Sequence, residues 1–303
     1  MSSSPPASVL TAFGLTGTPT PIPGGRGLCF RISNTILKPC DDLPESQWVS
    51  SLSANLLGQN PTSYRLAIPI PSVSNPESYV VDGWTASTFV PGRVSLSHFQ
   101  DVFNAADALH SDLARIVGNN KPSILAERAT NRFTEADLVT WGEKALSEVE
   151  KVHEGMLAEL RPILDQLRSM MRPLAVRADG DDGEDMDSDL TLANQLVHLD
   201  LLGNVLIDED GAEPPGIIDL TFYWRPAAYA RAVVVADGLT RLKGQEHCGD
   251  TKRDVSVQLL VRALYWRYLT FAIDPDMEWI RINLPQADYA GAANIICGLV
   301  SQS

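Results

Sequence analysis

The chain has 303 residues, 44% of them hydrophobic and 20% charged, a composition that supports a sizeable core and excludes wholesale disorder. Its 38 acidic residues outnumber 24 basic ones, and a net charge of −14 argues against non-specific nucleic-acid binding and for a neutral or cationic small substrate. No apolar run reaches the roughly 18 residues that span a bilayer, no secretory or transit pattern opens the chain, and Cys29, Cys40, Cys248 and Cys297 lie far apart; these features predict a cytoplasmic protein with reduced thiols and no membrane or nucleic-acid partner.

The first third reads as strands. Leu28 to Ile32 and Thr35 to Lys38 are β-prone runs joined at the turn-forming pair Ser33-Asn34. Asp42 to Leu57 carries apolar residues at helical spacing. Arg65 to Ile70 and Tyr79 to Val81 are again strand-like, and Asp82-Gly83 signals a hairpin leading into Trp84 to Val90. Pro91-Gly92 breaks the pattern and marks a joint between residues 1–90 and 91–303.

Helices dominate from there. Leu96, Phe99, Val102, Phe103, Ala106, Leu109, Leu113 and Ile116 mark one amphipathic face. The spacing of Thr134 and Asp137 predicts a helix start at Thr134, and another helix is expected from Met156 to Leu174, with Pro162 near its start. The stretch 177–189 holds seven acids and reads as a solvated loop, without the spacing of a calcium loop. Two short strands, Val205 to Ile207 and Ile217 to Leu220, form an internal hairpin. Helices return over 227–242, 253–272 and 286–300, and the aromatic stripe Tyr265, Trp266, Tyr268 and Phe271 is expected in the core.

The chemistry concentrates in Leu196-Val197-His198-Leu199-Asp200-Leu201-Leu202-Gly203-Asn204-Val205. An apolar strand end delivers His198 and Asp200, Asn204 opens the next strand, and Asp219 ends Gly216-Ile217-Ile218-Asp219. Phosphoryl transfer uses such groups: carboxylate and amide oxygens converge on magnesium, and a further carboxylate orients the acceptor hydroxyl. Lys38 stands inside an apolar strand, where lysine is rarely placed without a partner. His198 reads as a structural residue holding the loop by hydrogen bonds.

These residues carry a resemblance. The chain resembles the aminoglycoside phosphotransferase-like superfamily, and within it a subgroup best known in actinobacteria. The shared features are the shortened loop from His198 to Asn204 and the segment Tyr223-Trp224-Arg225-Pro226. Phe13-Gly14-Leu15-Thr16-Gly17, Pro23-Gly24-Gly25, Leu37-Lys38-Pro39 and Val81-Asp82-Gly83-Trp84 extend the likeness over most of the chain, most weakly over 118–189. The resemblance implies an α+β, two-lobed protein kinase-like fold, with a strand-rich first lobe (1–90) and a mainly helical second lobe (91–303). It implies ATP and Mg2+ as cofactors and a small-molecule alcohol as acceptor. By the same resemblance Asp200 is catalytic, Asn204 and Asp219 hold the metal, and Lys38 contacts the phosphates. Gly24, Gly25 and Gly27 cover those phosphates, Glu45 partners Lys38, and Thr88, Phe89 and Val90 form the hinge that receives adenine.

Two departures stand out. Leu199 replaces the family's glycine, which a side chain pointing into the helical lobe would accommodate, and the loop is one residue shorter than the kinase pattern. Together with the acidic stretch, Leu199 supports a rival reading, a non-catalytic nucleotide-binding or scaffold protein on the same fold. The intact Asp200, Asn204 and Asp219 oppose it.

Overall fold

In the computed structural model the described residues are 4–22, 27–174, 176–177, 192–241 and 255–301. Gly24 and Gly25, and all but the first residue of the acidic stretch 177–189, lie outside them.

The chain starts with α1 (Ala7–Ala12), β1 (Thr20–Pro21), β2 (Phe30–Ile32) and β3 (Thr35–Pro39). β2 and β3 form the expected hairpin at Ser33-Asn34. α2 (Leu43–Gly58) begins at Asp42, whose carboxylate accepts the Glu45 amide, and Pro44 sits in the first turn where its missing N–H costs nothing. Then come β4 (Arg65–Leu66), β5 (Val80–Val81) and β6 (Trp84–Thr88). Asp82 and Gly83 turn the β5–β6 hairpin with φ of 47° and 79°, the pair of positive angles that a two-residue turn with matching twist demands. β4 is shorter than the strand expected over 65–70, because past Leu66 only an isolated bridge joins Pro69 to Ser87.

β1-β2-β3-β6-β5 make one five-stranded sheet. Its inward residues Phe30, Ile32, Leu37, Trp84 and Ala86 close over Val9 and Phe13 to form a small core. Most of the other buried apolar residues belong to one large core, and that includes Leu52 and Leu56 of α2 as well as Tyr64 and Leu66.

The remaining elements follow as β7 (Arg93–Val94), α3 (Phe99–Val117), α4 (Ile124–Glu127), α5 (Arg132–Thr140) and α6 (Glu154–Met170). Next are β8 (Val176–Arg177), β9 (Leu192–His198), β10 (Val205–Ile207), β11 (Gly216–Ile217) and β12 (Phe222–Pro226). α7 (Ala227–Arg241), α8 (Val257–Ile273), α9 (Met277–Asn283) and α10 (Tyr289–Val300) complete it. No helix among the described residues is long and apolar enough to cross a membrane.

Several expectations shift. α5 starts earlier than Thr134, because Asn131 caps it: its Oδ1 accepts the Phe133 and Thr134 amides, and Thr134 Oγ1 accepts the Asn131 amide. Pro162 falls inside α6, since that helix begins at Glu154, before the expected start. The last helix, α10, starts at Tyr289 with Asp288 as its cap, and an additional short helix, α9, precedes it ahead of the Pro285 break. The Tyr-Trp-Arg-Pro segment is a buried strand, β12, paired antiparallel with β9 so that Phe222 faces His198.

A second sheet, ordered β4-β11-β10-β7, ties the early chain to the later one. β4 runs parallel to β11, and β7, just past Pro91-Gly92, pairs with β10. Arg65 secures this corner by donating to the carbonyls of Pro214 (2.7 Å) and Pro91 (3.1 Å). Gly216 is required here, because a Cβ would sit 2.4 Å from Val90 Cγ1. α8 runs through the large core, buried from Leu259 to Ile273, and its aromatic stripe packs as expected.

Candidate active site

The loop after β9 is built from the inside out. Leu199, Leu201 and Leu202 are buried in the large core, so Leu199 fits where the family has glycine, and it has no positive φ. Those three anchors leave Asp200 half exposed. Asn204 Nδ2 donates to the Asp200 carbonyl (2.8 Å) and to Asp200 Oδ2 (3.0 Å), while Arg267 Nη2 donates to Oδ1 (2.7 Å). Burial raises the Asp200 pKa, but the charge and hydrogen bond of Arg267 outweigh it, and the carboxyl lies below its ordinary value.

His198 is buried. Its backbone N–H donates to His110 Nε2 (3.1 Å), and its Nδ1 meets the Thr221 backbone at 3.2 Å. It therefore links the loop to the segment following Asp219, as a structural residue. His110, also buried, uses Nε2 as an acceptor and must stay neutral to do so; burial is the main reason that its pKa falls to about 4. The unfolded histidine takes its proton near pH 6.5, so the unfolded state binds more protons below that value. Stability is then full above pH 6.5 and is lost as pH falls toward 4. Urea titrations should show wild type losing about 3 kcal/mol more than His110→Gln across that window, at about 1.4 kcal/mol per pH unit. Parallel curves for the two proteins would contradict this.

The β10–β11 hairpin sets the second group of residues. Val205 pairs with Ile217, and the Ile218 amide donates to the Asn204 carbonyl (2.9 Å), which brings Asn204 and Asp219 to the same end of the hairpin. Asp219 has φ of 51°, a left-handed conformation that a non-glycine residue keeps only when its surroundings impose it. Lys38 Nζ is ion-paired with Asp219 Oδ1. Burial pulls the ammonium pKa down, and the adjacent Asp219 carboxylate more than reverses that.

The other expected site residues stand differently. Glu45 does not pair with Lys38; it accepts from Arg128 Nη1 (2.8 Å), which also donates to the Phe222 carbonyl (2.7 Å). Asp42 adds a second tie by accepting the Ala129 amide (2.6 Å), so the start of α2 is latched to the segment behind α4. At the hinge, the Thr88 amide donates to Ile68 and the Phe89 amide to Asn34, so neither is available to an incoming ring. The Val90 amide has no acceptor among the described residues. Gly27 has φ of 69° and open space where a Cβ would be.

Among the described residues no group of three or more His, Cys, Asp or Glu could hold a metal alone. Magnesium does not need one, since it commonly takes one or two carboxylates and fills its octahedron with water and phosphate oxygens. Asn204 and Asp219 fit that donor set: both Asn204 Nδ2 bonds go to Asp200, and its Oδ1 accepts nothing among the described residues. The sequence reading missed Arg267. Its signal was an arginine set, like Arg262, inside a mainly apolar, aromatic helix, a position that charged side chains rarely occupy unpaired.

Neither a family model nor a curated protein sequence matches the chain. Solved structures do. All of the chain aligns with 97% of an aminoglycoside phosphotransferase from Alicyclobacillus acidocaldarius, at a TM-score of 0.55 and 15% identity. A microcompartment-associated aminopropanol kinase aligns over 97% of this chain and 96% of its own, with TM-score 0.56 and 16% identity. A spectinomycin phosphotransferase solved with ADP and spectinomycin covers 98% of this chain and 97% of its own, with TM-score 0.56 and 13% identity. At these identities the likeness shows the fold, an α+β, two-lobed protein kinase-like architecture.

Proposed function

We propose that this kinase-like chain is an ATP-dependent phosphotransferase acting on a hydroxyl of a small molecule in the cytoplasm. The observation that carries the reading is the convergence of Asp200, Asn204, Asp219 and Lys38 where β9, β3 and the β10–β11 hairpin end. Its resemblance to the subgroup with a shortened His-x-Asp loop and a Tyr-Trp-Arg-Pro segment agrees with this reading, as does a division into lobes near residue 90. The alcohol is unidentified; the names of the structural neighbours suggest amino-bearing compounds as the first to try.

The roles follow from the chain's own groups. Asp200 orients the acceptor hydroxyl, using the lone pairs that Arg267 and Asn204 leave. Lys38 exchanges Asp219 for a phosphate oxygen. Gly27, lacking a side chain, lets the backbone approach the phosphates closely. The Val90 amide meets the adenine edge. Magnesium, held by Asn204 Oδ1 and Asp219, supplies charge neutralisation at the phosphate oxygens. Little covalent work is left to the protein, and the rate comes from positioning and electrostatics.

A binding-only scaffold is the second reading, favoured by Leu199 at the position where the resembled family has glycine. In either reading the Lys38–Asp219 ion pair must open before nucleotide or metal takes its place. Two measurements separate the readings. Calorimetry should show Lys38→Met weakening ATP binding with Mg2+ by about 10- to 100-fold, the worth of one charge-assisted hydrogen bond. Mass spectrometry of an alcohol panel incubated with ATP and Mg2+ should then find a product heavier by one phosphoryl group. Tight ATP binding with no phosphorylated product would select the scaffold.

A further inference from the structure

Of the groups outside the sequence-derived site, Arg267 alone reaches Asp200 with a hydrogen bond among the described residues. It stands in the middle of α8, buried, with its guanidinium 4.6 Å from the centre of the Trp266 ring. Nε and Nη2 donate to the two oxygens of Asp237 on α7, at 2.9 and 2.7 Å. The same Nη2 donates to Asp200 Oδ1 at 2.7 Å. Asp237 is itself buried, so the planar fork is aimed from behind by a fixed carboxylate, and only its outer edge is presented to the loop.

A half-exposed aspartate would otherwise turn about its side-chain torsions. Here Arg267 takes one oxygen and Asn204 the other, which leaves two lone-pair directions, both fixed by the fold. Displacement of a reacting group by about 1 Å costs on the order of 100-fold in rate. We propose, resting on the phosphotransferase reading, that Arg267 is a positioning residue: aimed by Asp237, it sets the direction in which Asp200 meets the acceptor hydroxyl.

The test compares wild type, Arg267→Lys and the double variant Arg267→Met/Asp237→Leu. Lysine keeps the charge but cannot serve two carboxylates with one planar fork. The double variant avoids stranding the buried Asp237 charge. Melting temperature, calorimetric affinity for ATP with Mg2+, and phosphotransfer to water, ethanolamine, 1-amino-2-propanol and glycerol are measured for each. Both variants should bind ATP within about threefold of wild type and keep KM for the responding alcohol, while kcat falls by about 100-fold, less so for lysine. In an Asp200→Asn background, Arg267→Lys should cause no further loss, because its effect passes through Asp200.

A folded variant with wild-type kcat overturns the role, and so does an equal further loss without the Asp200 carboxylate. Failure of wild type to bind ATP or to transfer its phosphate overturns the phosphotransferase reading, and the role of Arg267 with it. Normal turnover in the variants overturns the positioning role alone.

Discussion

Asp200→Asn is expected to bind ATP with Mg2+ like wild type while losing about 10²- to 10⁴-fold in phosphotransfer, the range that a general base or orienting group supplies. The asparagine keeps the shape and can still accept from Arg267 through its one oxygen, giving up only the hydrogen bond from Asn204 Nδ2. What it lacks is the negative charge facing the acceptor hydroxyl. Asp219→Ala should behave differently, losing both turnover and the magnesium-dependent rise in melting temperature with nucleotide, if its carboxylate serves the metal as proposed. Calorimetry and product mass spectrometry on the two variants give the contrast. Equal turnover in wild type and Asp200→Asn would end the catalytic assignment, and an unchanged magnesium effect in Asp219→Ala would end the metal assignment.

Arg225→Met should cost the fold about 3–5 kcal/mol in urea unfolding, the usual penalty for stranding a buried charge. Arg225 lies in β12, buried, and donates to both oxygens of Asp137 at 2.6–3.1 Å and to Glu143. Burial raises the Asp137 pKa, and Arg225 is the main counterweight. Without it the carboxyl must either stay charged among apolar side chains or take up a proton. Arg225→Met/Asp137→Leu should recover most of the loss, since an apolar pair of similar volume replaces an ion pair at little cost. The exposed pair Arg93–Glu209 makes a control, with Arg93→Gln expected within about 0.5 kcal/mol of wild type. A loss below about 1 kcal/mol for Arg225→Met would mean that the buried Arg225–Asp137 pair does not hold β12 in place.

What could be read from the sequence was governed by range. The Asp82-Gly83 turn, the helix after Asp42 and the strands beside Asp200 and Asn204 all depend on neighbours in the chain and stand close to where their local signals put them, whereas the strand expected over 217–220 stops at Ile217, short of Asp219. Glu45 is the opposite case. Its place at the start of α2 was legible, but its partner, Arg128, comes from a short helix that the periodicity did not show. Arg267 was hidden because α8 is buried on all sides, so it has no polar face against which an inward arginine would stand out. β12 was not among the expected strands, because a strand buried on both faces loses the alternation that marks strands. Asn131 was overlooked because Thr134 also looks like a cap, and in the structure the two residues cap each other.

The parallel pairing of β4 with β11 has a mechanical consequence. Residues 65–66 are hydrogen-bonded to a strand about 150 residues later, Arg65 is anchored to Pro91 and Pro214, and Leu52, Leu56, Tyr64 and Leu66 pack in the large core. The small core contains only the first sheet and the residues of α1 and its end. The seam in space therefore runs behind α2 and β4, well before the joint in sequence. A chain cut by a protease between Pro91 and Gly92 would not fall into two pieces: the early fragment would stay clipped to the late one through a helix and a strand already woven into it. Co-expressed as separate halves, 1–91 and 92–303 would find each other by completing that weave.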